Sequence, residues 1–433
     1  MNFFSGIIGY FQELSIFMKL LVFFIAFLFS SFYISHFLLW SFAIILTVGL
    51  LFSSQFLITV LGAIALFLFF PATRKMLTGR VMGLLKALKI MPQISQTEKV
   101  ALEAGSTWID AELFSGNPNF NKILREPYPQ ISAKEKAFID NQCCTVSDML
   151  DEDKAYRDGD LPAEIWDYMK KEKFFGLIIP EKYGGLGFSA LGHSQVISAL
   201  AAGSLPLTIS TMVPNSLGPA ELLIHYGTEK QKDYYLPRLA TGQEIPCFGL
   251  TEVGAGSDAG SLTSSAVVFK GEDGKLYLRM NWKKRWITLG AVATVLGLAV
   301  KLSDPEELLG KGKDLGITCI LVPSDVEGVV LGLRHDPLGV PFINSPIEGK
   351  DVVVSIDQII GGVEGAGKGW LMLMECLAAG RSISLPSQAT GGARAINRFV
   401  GTYAQVRHQF GLPIGDFEGV DEALARIGAF TYF

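Results

Sequence analysis

Phe248-Gly249-Leu250-Thr251-Glu252-Val253-Gly254-Ala255-Gly256-Ser257-Asp258, followed further on by Trp286-Ile287-Thr288-Leu289, is the stretch on which the reading of this chain turns. Gly254, Gly256 and Gly260 take the Cβ out of a short segment, so its backbone can approach a flat or phosphorylated ligand closely. Thr251, Ser257 and Thr288 add hydroxyls that both donate and accept hydrogen bonds. A ring-shaped cofactor with polar edges needs this combination of bare backbone, small hydroxyls and a nearby aromatic. The glycines are not spaced GxGxxG and open no helical pattern, so a doubly wound dinucleotide fold is not indicated.

Outward from this stretch the pattern changes twice. From Cys247 to about Ile360 the signals are those of strands. Ala266–Phe269 and Leu276–Asn281 flank Gly271-Glu272-Asp273-Gly274, a hairpin signal, and Leu276, Leu278 and Met280 alternate with Tyr277 and Arg279. Ile317–Val322 and Val352–Ile356 are further short β-type runs. From Ser132 to about Thr241 the pattern is helical. There Asp160 stands where an N-cap is expected, before Pro162 and the face formed by Ile165, Trp166 and Met169. After Gly369 it is helical again. The expected class is α+β, with the order helices, sheet, helices over 131–246, 247–360 and 361–433, preceded by a loop-like connector over 92–130 with short helical pieces around Thr97–Ala111.

The N-terminus carries a separate message. Leu20 to Phe70 is a run of 51 residues without Lys, Arg, Asp or Glu, far beyond the ~20 needed to cross a bilayer once. A signal peptide has an apolar core of only ~7–15 residues. Two transmembrane helices, broken between Ser30 and Ser41, fit best; three, with a second break at Ser53-Ser54-Gln55, are the alternative. Arg74, Lys75, Arg80, Lys86 and Lys89 follow the run, so the rest of the chain is expected on the cytoplasmic side of the inner membrane. The stretch Met76–Met91 reads as an amphipathic surface helix, completing an anchor over 1–91.

Composition excludes other classes. A net charge of −5 with no basic patch beyond the membrane flank argues against nucleic acid. Five scattered cysteines with no metal-type CxxC pair fit a reducing compartment without a disulfide framework. Gly362-Val363-Glu364-Gly365-Ala366-Gly367-Lys368-Gly369 nearly spells a phosphate-binding loop. Gly369, however, stands where a Ser or Thr should hold Mg²⁺. His193, His225, His335 and His408 lie far apart and form no partner pattern.

The motifs together resemble those of the acyl-CoA dehydrogenases, and they come in that family's order. Ile179-Pro180-Glu181-Lys182-Tyr183-Gly184-Gly185 resembles a turn of its N-terminal helical domain. Tyr226-Gly227-Thr228-Glu229-Lys230-Gln231 and Tyr235-Leu236-Pro237 resemble its later helices. Thr251–Asp258 resembles the flavin signature, Trp286-Ile287-Thr288 the second flavin strand, and Arg407-His408-Gln409-Phe410-Gly411 the cofactor-contacting arginine loop. The uncharged N-terminus and Val213–Pro219 point to the long, membrane-associated bacterial type.

The resemblance implies an FAD-dependent oxidation of fatty acyl-CoA to trans-2-enoyl-CoA, as in fatty acid β-oxidation. Electrons would pass to an electron-transfer flavoprotein or similar acceptor, and the complete protein would be a homo-oligomer. Phe248, Thr251, Gly256, Ser257, Trp286 and Thr288 would line the FAD. Ser257 and Arg381 would face the acyl-CoA, and Arg407 and Phe410 would reach the FAD of a neighbouring subunit. The family's catalytic Glu either directly precedes the arginine matched by Arg381 or comes much later. Here Gly380 precedes Arg381, so the base is expected beyond Phe433 and this chain alone is expected to be inactive. An acyl-CoA oxidase and an inactive membrane-tethered fragment are the alternatives.

Overall fold

The computed structural model describes residues 70–90, 96–103, 108–115, 118–216 and 218–432, with isolated positions before Phe70. The transmembrane expectation over Leu20–Phe70 therefore falls almost wholly outside the described residues. Among the described residues no helix is long and apolar enough to cross a membrane. The chain divides into two units, Met1–Ile94 and Ser95–Phe433.

In the first unit, helix α1 spans Pro71–Ala87, with proline in its first turn, where the missing N–H costs nothing. It ends short of the expected Met91: Leu88 caps it and Lys89 turns left-handed at φ 54°. Met76, Leu77, Val81, Leu84 and Leu88 are all exposed.

The second unit opens with short helices at Gln96–Glu103, Trp108–Leu113 and Phe120–Leu124, inside the stretch expected to be a connector. Its helical lobe includes α2 (Ala133–Phe138), α3 (Cys144–Met149), α4 (Ala163–Lys171), α5 (Ala190–Ala201), α6 (Leu205–Ser216), α7 (Pro219–Tyr226) and α8 (Glu229–Ala240), with a π-helical turn at Ile139–Cys143 and a further short helix at Glu152–Asp158. Helix α2 begins on a capping box in which Ser132 and Glu135 satisfy each other's backbone N–H groups. The Glu135 carboxylate also accepts from the backbone N–H and the hydroxyl of Ser189, each at 2.7 Å, which ties α2 to the start of α5. Asp160 is not the cap of α4. Pro162 holds that position, and the Asp160 carboxylate accepts instead from Leu161 N at 2.7 Å and Trp166 Nε1 at 3.3 Å. The proline already sets the helical entry, so the aspartate serves the loop before it.

The sheet runs through β1 (Pro246–Gly249), β2 (Ser265–Lys270), β3 (Leu276–Thr288), β4 (Val295–Ser303), β5 (Asp314–Pro323), β6 (Val329–Leu331) and β7 (Asn344–Ser355). Their spatial order is β1-β4-β2-β3-β7-β6, with β5 paired to the other side of β4. The expected hairpin is β2–β3, in antiparallel register from Lys270 opposite Leu276 to Ser265 opposite Asn281. Along β3 the residues Leu278, Met280, Trp282 and Lys284 point inward. Three apolar residues and one lysine thus share the buried face.

Helix α9 (Gly369–Ala379) passes through a π-helical turn, Gly380–Ser384, into the long α10 (Leu385–Val406). A hairpin of β8 (His408–Gln409) and β9 (Leu412–Pro413) and the helix α11 (Glu418–Tyr432) follow. The glycine-rich segment before α9 is a packed corner. A Cβ on Gly365 would lie 1.9 Å from Ile360 O, and one on Gly367 would lie 2.4 Å from Leu315 O. Those glycines are needed for internal packing, which disposes of the phosphate-loop reading. Gln231 joins lobe to sheet. Its Oε1 accepts from Thr228 N and Gly361 N, and its Nε2 donates to Asp357 O at 2.9 Å and Ile359 O at 2.7 Å.

Candidate active site

The loop after β1 is held from beneath. Glu252 is 5 % exposed and its carboxylate takes five hydrogen bonds. They come from Thr263 N and Oγ1, both at 2.7 Å, from Ser264 N and Oγ at 3.1 and 2.5 Å, and from Lys284 Nζ at 2.8 Å. Lys284 is fully buried and also donates to Leu250 O at 3.0 Å. Burial pushes the Glu252 carboxyl up, but Lys284, Ser264 and Thr263 together outweigh it and hold it down at about 2. Neither residue was singled out in the sequence. The signal was available: a lysine at an inward position of a strand must find a buried carboxylate.

This anchorage brings the two halves of the signature together. Arg285 N donates to Thr251 O at 3.1 Å, and Glu252 and Ala255 close a tight loop on each other's backbone. Val253, Gly254, Gly256, Ser257 and Asp258 are left exposed on a fixed base. Gly254 and Gly256 have φ outside the left-handed region, and a Cβ on either would meet nothing within 4 Å. Packing within the chain does not require glycine there, and the bare backbone is open to a ligand. Replacing Gly256 by alanine is accordingly expected to leave the melting temperature unchanged while weakening flavin uptake. A lowered melting temperature with unaltered uptake would reverse that assignment.

Trp286 stands beside this loop at φ 58° and 52 % exposed, with the Arg285 guanidinium 5.5 Å from its ring centre. A bulky residue held left-handed with its ring in solvent is unusual on both counts. Thr288 ends β3, half-buried, opposite Asn344 in the register with β7. Phe248 is half-buried on β1, and its ring occupies the space a Cβ on Gly297 would need. It lines a small crevice with Gly218, Leu222, Leu373 and Cys376.

Thr251, Gly256 and Ser257 thus share one loop that follows Phe248 on β1, and the Arg285–Thr251 bond ties that loop to the end of β3 that carries Trp286 and Thr288. The other sequence-selected residues lie elsewhere. Arg381 is exposed in the π-helical turn, Arg407 caps α10, and Phe410 is 94 % exposed at φ 53° in the β8–β9 hairpin, its ring meeting Phe417. Among the described residues no hydrogen bond, ion pair or ring contact joins these three to Thr251, Trp286 or Thr288. Glu375 is exposed on α9. His193 is buried against Ser384, 3.4 Å from its hydroxyl, and burial pushes it down to about 4. It is therefore a neutral packing residue near neutral pH. A depression of about 580 Å³ lined by Thr263, Trp282, Lys283, Gly328 and Lys350 takes in none of the sequence-selected residues.

Family models agree with this architecture. The acyl-CoA dehydrogenase N-terminal domain matches residues 132–243, the middle domain 247–352 and the C-terminal domain 367–430. The chain belongs to the acyl-CoA dehydrogenase family. It is 32 % identical over 301 residues to the caffeyl-CoA reductase–Etf complex subunit CarC of Acetobacterium woodii, covering 69 % of this chain and 72 % of that protein. It is also 58 % identical over 97 residues to protein HemX of Proteus mirabilis, 22 % of this chain and 57 % of HemX. The chain therefore spans little more than half of HemX. Among solved structures, an acyl-CoA dehydrogenase complexed with FAD from Bacillus anthracis aligns with TM-score 0.56 and 24 % identity, over 69 % of this chain and 47 % of that one.

Proposed function

We propose that this protein is an FAD-dependent oxidoreductase that converts fatty acyl-CoA to trans-2-enoyl-CoA and passes the electrons to an electron-transfer flavoprotein or similar carrier. The observation that carries the reading is the bare glycine loop pinned by Glu252 and Lys284 beside the half-exposed Trp286. Family membership, the FAD in the B. anthracis structure and the Etf complex of the A. woodii relative support it.

The residues fit such a group. Gly254 and Gly256 present backbone without side-chain hindrance, Trp286 offers an apolar ring, and the Thr251, Ser257 and Thr288 hydroxyls offer polar contacts at its edge. FAD, when bound, supplies the hydride acceptor. The protein's own task is orientation. The fixed loop and Phe248 would help hold the ring, and Ser257 and Arg381 would meet the acyl-CoA. Arg407, exposed at the end of α10, and Phe410, exposed in the hairpin after it, would serve the FAD of a second copy in a homo-oligomer, where a guanidinium would pair with phosphate. No residue is assigned as base, because Glu375 is exposed and no contact joins it to the cluster.

The test is a visible absorption spectrum of the purified protein with and without a long-chain acyl-CoA. A flavin band is expected, and it is expected to bleach on adding substrate. Protein that acquires no flavin from added FAD would refute the reading. The uncharged run Leu20–Phe70 further supports an inner-membrane location with the catalytic region facing the cytoplasm. The full chain is then expected to stay in the pellet after carbonate extraction, and its release without detergent would sink that location.

A further inference from the structure

We infer that Asn344 is a positioning residue for Thr288, fixing which way its hydroxyl proton points. The inference rests on the FAD reading above and extends it to a residue that no sequence motif marks.

Asn344 is the first residue of β7 and lies directly opposite Thr288, the last residue of β3. Its backbone is clasped on both sides. Leu289 N donates to Ile343 O at 2.8 Å, and His335 N donates to Asn344 O at 2.6 Å. The residue is 9 % exposed, and its Nδ2 donates to Thr288 Oγ1 at 3.4 Å. A hydroxyl has one proton and two acceptor positions. Once its oxygen accepts from an amide N–H, its own proton points away from that amide and remains available to another acceptor. No other side-chain hydrogen bond of Thr288 is made among the described residues. Thr288 therefore faces its ligand as a donor, matched to the ring nitrogen and carbonyl acceptors along one edge of an oxidised flavin. Without Asn344 the same hydroxyl would rotate freely between donating and accepting, and part of the bond would be spent on ordering it.

The experiment uses the full chain titrated with FAD, reading the dissociation constant and the position of the visible flavin band. Asn344→Asp keeps the size of the side chain but converts the donor into an acceptor, so the carboxylate takes the Thr288 proton for itself. It is expected to weaken FAD binding about fivefold to tenfold, the worth of one neutral hydrogen bond, and to shift the flavin band. Asn344→Ala removes the donor without imposing an acceptor and is expected to cause a smaller loss, which serves if the aspartate variant does not fold. The decisive arm is the pair with Thr288→Val. Asparagine acting through Thr288 has nothing left to act on in that background, so the double variant is expected to bind FAD no worse than Thr288→Val alone. Losses that add in the double variant, or an unchanged spectrum and affinity in Asn344→Asp, would overturn the role of Asn344 while leaving the flavin site standing. Failure of the unaltered chain to take up FAD would instead overturn the reading beneath it, and this inference with it.

Discussion

Lys284→Met will destabilise the protein by about 3–5 kcal/mol, the cost of stripping one partner from a buried ion pair. The methionine fills the lysine's space, so the loss is electrostatic. Glu252 keeps its Thr263 and Ser264 bonds but loses the one cation paired with it among the described residues, while it stays 5 % exposed. A urea titration followed by tryptophan fluorescence measures the effect as a fall in midpoint. A change below about 1 kcal/mol, the range of an exposed pair, would show that the carboxylate is solvated and that the latch is not what holds the loop.

Acid will unfold the second unit earlier than its ordinary carboxylates would require. Glu135 and Glu252 are both held at about 2 in the folded chain. For Glu135, burial acts upward and is outweighed by the Ser132 and Ser189 donors. The unfolded value is ~4.3. The folded pKa is the depressed one, so the folded state binds fewer protons than the unfolded state as pH falls. The stabilisation is therefore fully present above about 4.3 and is lost progressively on the way down to 2. By linkage it amounts to about 3 kcal/mol for each carboxylate. Denaturation followed from pH 7 to pH 2 should show a steep loss starting just above pH 4, shallower in Glu135→Gln, which has nothing left to titrate there. The same steepness in that variant would put the acid sensitivity elsewhere.

Much of the candidate site could be proposed from the sequence because the residues chosen for it are local. The hydroxyls and glycines of Thr251–Ser257 sit in one loop, and Trp286 and Thr288 in one strand end. The β2–β3 hairpin was legible from Gly271–Gly274 and the alternation before Asn281. What escaped depends on partners far apart in sequence. Lys284 continues the inward series of Leu278, Met280 and Trp282, but only the fold supplies Glu252 as its partner. Asn344 carries no pattern at all, since its meaning comes from the register of β7 on β3. Asp160 was misread because Pro162 already performs the entry that a capping aspartate would have served. Arg381, Arg407 and Phe410 were chosen by likeness to a family. Within the described residues no contact joins them to the loop, so their places in the chain carry no local pattern that ties them to it.

Gln231 bears on how this protein can be taken apart. Its single side chain satisfies backbone groups at Asp357, Ile359 and Gly361, beyond the last sheet strand, while also capping its own helix. A fragment cut before Pro246 to isolate the sheet would keep every strand yet leave two carbonyls and an amide without partners at its far end. The border between helical and strand-like sequence is therefore not a border of cooperative unfolding. The Gly361 amide should share its rate of solvent exchange with the start of α8, some 130 residues away along the chain.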